Sequence, residues 1–116
     1  MTILEPRMRL TLTAAGHKWD ALRVSAPLGE QLIAALDFRC GDVMRDGHTR
    51  LFLIPPGTGD FVTAPGVAVY GRGRHLLIPA MDLTVPPGPH WVRQVPRERR
   101  ITSVVALNVA LLEVTL

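Results

Sequence analysis

The chain has 116 residues, 47% of them hydrophobic and 20% charged, with a formal net charge of +3. That length suits one hydrophobic core and leaves no room for a second domain, and the apolar content excludes a disordered chain. The single cysteine, Cys40, excludes an internal disulfide and fits a reducing compartment.

Charge is uneven along the chain. Residues 1–60 carry seven basic and seven acidic side chains, whereas 61–116 carry six arginines (Arg72, Arg74, Arg93, Arg97, Arg99, Arg100) against Asp82, Glu98 and Glu113. The whole excess therefore lies in the second half. Lys18 is the only lysine, and Arg is abundant alongside Ala, Gly, Pro and Val, a coding bias that explains the choice of Arg over Lys without a functional reason. The segment Met1 to Arg9 contains Glu5 and Pro6 and lacks the apolar centre of an export signal. The most apolar stretch, 101–116, is short of the roughly 20 residues that span a bilayer. A cytoplasmic protein with no membrane partner is the expectation.

In chain order, Met8, Leu10 and Leu12 alternate with Arg9, Thr11 and Thr13, which reads as a strand with those apolar residues facing the core. Gly16 ends it, and Trp19, Ala21 and Val24 continue as a second extended piece. Ser25 as N-cap, Pro27 in the first turn and a face of Leu28, Leu32, Ile33 and Leu36 predict a helix over about 26–37. Val43 and Met44 form a short strand, and Leu51 to Ile54, closed by Pro55, Pro56 and Gly57, reads as a buried one. Val67 to Tyr70 and Leu76 to Ile78, joined across Gly71-Arg72-Gly73-Arg74, predict a hairpin. Residues 84–90 hold three prolines and are extended loop; Trp91 to Val95 is the last strand. Thr102 or Ser103 caps a terminal helix over about 102–114, although its β-branched residues leave a strand reading open. The fold class is α+β, with a mixed or antiparallel sheet of five to seven strands and two helices.

No catalytic constellation is visible. The chain lacks an Asp-x-Asp pair, its only serines (Ser25, Ser103) stand at helix starts, and the four histidines with Cys40 show no metal-ligand spacing. An enzyme is disfavoured, and nothing calls for a cofactor or metal. Cys40 reads as a small buried hydrophobe. Gly71-Arg72-Gly73-Arg74-His75 lacks the third glycine of a dinucleotide loop, since position 76 is Leu. It is either a turn with solvated arginines or a site where Arg72, Arg74 and His75 hold an anion, guanidinium being well matched to phosphate. Arg93, Arg99 and Arg100 extend the candidate anion-binding set, the latter two just before the terminal helix. Trp91, flanked by His90 and with Arg93 nearby, is a core plug or a platform for base stacking.

The succession Pro55-Pro56-Gly57, Val67 to Tyr70, Gly71-Arg72-Gly73, Leu76-Leu77-Ile78-Pro79, then Asp82 to Pro89 and Trp91 resembles the closing part of the bifunctional DNA primase/polymerase (prim-pol) N-terminal domain, and short actinobacterial proteins that share it. The resemblance covers about 40 residues, from Leu51 to Trp91. It implies a related sheet fragment with affinity for nucleotide or nucleic acid. It does not imply primase activity: the family's metal-binding Asp-x-Asp is missing, and Arg50 to Leu53 lack its histidine. The expected function is a non-catalytic module binding nucleotide or nucleic acid through the second-half arginines. The rival expectation is a regulatory module that self-associates or binds a protein partner through residues 101–116.

Overall fold

The computed structural model describes residues 9–116, with seven strands and two helices: β1 (Leu10–Ala14), β2 (Asp20–Ser25), α1 (Ala26–Leu36), β3 (Val43–Asp46), β4 (Thr49–Ile54), β5 (Ala68–Tyr70), β6 (His75–Pro79), β7 (His90–Arg93) and α2 (Val104–Thr115). The class is α+β, and both sheets are antiparallel: five strands in the order β5-β2-β4-β3-β7, and a two-stranded ribbon of β1 and β6.

Strand alternation divides the larger sheet into two apolar faces. Leu22, Val24, Val43, Phe52 and Ile54 point to one side and are covered by Leu32 and Leu36 of α1 and Leu107, Ala110 and Leu111 of α2. Ala21, Met44, Leu51, Leu53 and Trp91 point to the other, where they meet Ala15, Trp19 and the ribbon residues Leu76 and Ile78. β4, the apolar run of residues 51–54, lies at the centre because both of its faces must be buried.

The helices begin where small hydroxyl side chains can satisfy their first N–H groups. Ser25 Oγ accepts from Leu28 N at 3.3 Å, and Ser103 Oγ accepts from Ala106 N at 3.4 Å. Thr102 is instead fully buried, its Oγ1 accepting from Gly41 N at 2.9 Å while its own N–H donates to Leu53 O. The terminal segment is thus helix, because Leu107, Ala110 and Leu111 recur at helical spacing on the buried side, and this outweighs the β-branched content.

Two expectations are corrected. The turn of residues 71–74 does not join a hairpin: β5 pairs with β2 and β6 with β1, so the chain crosses from one sheet to the other there. The face of β1 holds only in part. Leu10 is half-buried as expected, but Leu12 pairs with Leu77 and is 65% exposed, while of the intervening threonines Thr11 is exposed and Thr13, opposite Leu76, is half-buried. Met8, expected on the same face as Leu12, lies outside the described residues, as does most of the N-terminal segment. No described helix is long and apolar enough to cross a membrane.

Candidate functional site

A groove of about 880 Å³ opens where the β1–β2 turn meets the β5–β6 turn, lined by His17, Asp20, Asp60, Arg72 and Arg74 among glycines and Pro56. One hydrogen bond joins the two turns, and each is closed by its own. Ala15 N donates to Arg74 O at 2.8 Å, Gly16 N to Trp19 O at 2.8 Å, and Arg74 N to Gly71 O at 3.1 Å. Gly16 has φ +92°, and a Cβ there would come within 2.6 Å of the Arg72 backbone, so only glycine lets the turns approach this closely.

Asp20 sits in the groove wall. It opens β2 and is 3% exposed; its Oδ2 accepts from Gly59 N at 3.0 Å, while its Oδ1 is buried with no hydrogen-bond partner among the described residues. A buried carboxylate oxygen without a donor is costly, and native structures seldom keep one without a reason. Gly71 lies beside it: a Cβ at that position would sit 3.6 Å from Oδ2, in contact with the buried carboxylate.

Arg72 and Arg74 stand at the rim, exposed and without an acidic partner among the described residues. The Arg74 guanidinium rests over the Tyr70 ring, 4.5 Å from its centroid, and Tyr70 Oη accepts from Arg23 Nη1 at 2.9 Å. Stacking holds Arg74 in place while leaving its N–H edge available. The site therefore offers guanidinium donors at its rim and, in its wall, a buried carboxylate with one oxygen unpaired, a combination that suits a ligand carrying both negative charge and a hydrogen-bond donor.

The remaining arginines go elsewhere. Arg93 donates to the carbonyls of Asp37 and Cys40, tying β7 to the end of α1. Arg99 donates to Phe38 O. Arg100 pairs through Nε with the fully buried Asp42 Oδ2 at 2.6 Å, and its guanidinium stacks on Trp91, 5.5 Å from the ring centroid. The start of α2 is thus not the phosphate cradle that its neighbouring arginines suggest. Arg100 also borders a smaller cleft with Lys18, Trp19 and Arg97, beside the groove's His17 along the chain. His75 is exposed at the start of β6, next to Arg74, and does not line the groove. Trp91 as a stacking platform is corrected: it is 2% exposed, donates its indole Nε1 to Pro79 O at 3.0 Å, and has no face free for a base.

The candidate anion set therefore splits, with Arg72 and Arg74 in the groove and Arg93 and Arg99 binding backbone around α1. His17, Asp20 and Asp60 carry no spacing signal in the sequence; only the tertiary approach of the two turns makes them a group. Cys40 is buried at 1% exposure and burial pushes its thiol up to about 11, so it is a packing residue rather than a nucleophile. No group of three His, Cys, Asp or Glu that could hold a metal occurs among the described residues. No family model matches the chain, and no curated protein or solved structure matches it.

Proposed function

We propose that the groove binds a nucleotide, with phosphate taken by Arg72 and Arg74 and a base amino or ribose hydroxyl donating to Asp20. The observation that carries this reading is the buried Asp20 Oδ1, unpartnered among the described residues, in a groove with two arginines that lack acidic partners among those residues. Arginines alone on a turn are common solvated groups. An acceptor without a protein donor, on a residue that lines the same groove, gives the ligand a second point of recognition. A prim-pol relationship agrees with such a ligand, and no step of this reading requires it.

The test is calorimetric titration with nucleoside mono-, di- and triphosphates at low salt. The double variant Arg72→Ala, Arg74→Ala should weaken binding about 100-fold, the loss of two charge-assisted contacts. Asp20→Asn should weaken it about ten-fold, because the amide keeps an oxygen for Gly59 N but sets an NH2 group where the carboxylate accepts from the ligand. Unchanged affinity in both variants refutes the site.

One observation favours a longer ligand. The cleft with Arg97 and Arg100 is lined by Lys18 and Trp19, which directly follow the groove's His17 along the chain. If single-stranded nucleic acid runs from one to the other, affinity rises with oligonucleotide length. Lys18→Ala with Arg97→Ala then weakens oligonucleotide binding and leaves mononucleotide binding intact.

A further inference from the structure

The second helix is apolar on two opposite sides. Leu107, Ala110 and Leu111 are buried against the sheet, with Val114 half-buried beside them. Val105, Val109 and Leu112 recur at intervals of four and three, and Leu116 continues the series just past the helix. These face away from the core: Val105 is 70% exposed, Leu112 61%, and Val109 and Leu116 are also exposed. At 3.6 residues per turn the outer stripe is centred about 180° from the buried one. A helix apolar all round belongs in an interior, so the outer stripe calls for a cover.

The two flanks of the stripe differ. On one, Asn108 donates to Phe61 O at 3.0 Å and, among the described residues, no charged side chain lines the recess between α2 and residues 61–65. On the other, Phe38 and Ile101 form an apolar recess beside Val105, Ala106 and Val109, rimmed by Arg39, Arg99 and Glu98. Glu113 projects on this same flank, about 12 Å further along the axis than Val105. A net positive end and a negative end on one flank become complementary to themselves under a two-fold axis that crosses the helix near Val109. Such an axis reverses the helix and keeps the flank, bringing each Glu113 to the other copy's Arg39 and Arg99. A parallel pairing would carry Glu113 to the uncharged flank instead.

We infer that the outer face of α2 is the contact for a second copy of this chain, packed antiparallel with Val109 against Val109. This is independent of the groove, which lies away from α2. The stripe with Phe38 and Ile101 is small for an interface, so the dimer is expected to dissociate in the micromolar range.

Sedimentation of the full chain from low micromolar to hundreds of micromolar should show a monomer–dimer equilibrium. Val109→Glu should abolish the dimer while keeping the thermal melt of the monomer. Glu113→Arg should weaken association about ten-fold, and adding Arg99→Glu in the same chain should restore it. Val109→Cys should form a disulfide-linked dimer under mild oxidation, with buried Cys40 as an inert background, and Val105→Cys alone should not. A wild-type monomer throughout that range, which would leave the stripe to a different partner, overturns the inference. So does a dimer indifferent to Val109→Glu, or one in which Val105→Cys links to itself.

Discussion

Replacing Asp42 with alanine should destabilise the fold by about 3 kcal/mol, and the structure says where that figure comes from. The Asp42 carboxylate is fully buried; Oδ1 accepts from Val95 N at 2.9 Å, and Oδ2 accepts from Arg100 Nε at 2.6 Å. Removing one partner of a fully buried ion pair costs about 3–5 kcal/mol, mostly because the other charge is stranded. Arg100 retains 31% side-chain exposure, so water recovers part of that loss. The orphaned Val95 N–H adds about 1 kcal/mol back. For a chain of this size the melting temperature should fall by roughly 10–15 °C. Asp42→Asn should lie between, at about 2 kcal/mol, since the amide can still accept from Val95 but sets an N–H group against Arg100. Urea unfolding of Asp42→Ala, Arg100→Ala and the double variant gives the coupling energy, expected near 2 kcal/mol. A coupling below about 0.5 kcal/mol would show that Arg100 does not depend on Asp42, and would return this arginine to the pool of ligand-binding candidates.

Asp37 ends α1 with φ +53° and ψ −123°, a conformation natural to glycine, so Asp37→Gly should raise stability by about 1 kcal/mol in chemical denaturation. Gly41→Ala should destabilise by about 3 kcal/mol or more, because a Cβ would come within 2.2 Å of the Arg100 carbonyl oxygen, a backbone atom that cannot swing aside. Cys40 should be inert to thiol reagents in the native state and react on unfolding. Since burial raises its pKa to about 11, the unfolded chain loses the thiol proton first, and stability should decline as pH rises from about 9 towards 11, measurable by denaturation at stepped pH.

Local chemistry was enough to read the helices. Ser25 and Ser103 mark their starts, and the four-residue apolar run before Pro55-Pro56-Gly57 marks the central strand. Pairing was not legible. The glycines at 71 and 73 announce that the chain turns, but β5 finds its partner about 45 residues earlier in β2, and a turn signal is silent about such distant neighbours. Alternation in β1 gave the strand but not the exposure of Leu12, which lies opposite exposed Leu77 in a peripheral ribbon whose inward residues, Leu76 and Ile78, belong to β6. The same limit applies to the groove. Arg72 and Arg74 stand out by charge and turn context, whereas Asp20 is one acid between Trp19 and Ala21. Its unsatisfied oxygen is a property of the folded neighbourhood, set by Gly59 and the glycine turn at 71, and has no trace in spacing.

The arrangement of the core bears on how the protein is made. Leu32, Leu36, Phe52 and Ile54 are synthesised early, yet part of their cover is Leu107, Ala110 and Leu111, close to the end of the sequence. A chain emerging from the ribosome holds the part of that face beyond α1 open until α2 has left the exit tunnel. Through that interval the exposed strands are vulnerable to association with other chains, and a chaperone acting on nascent polypeptides would meet them in this form.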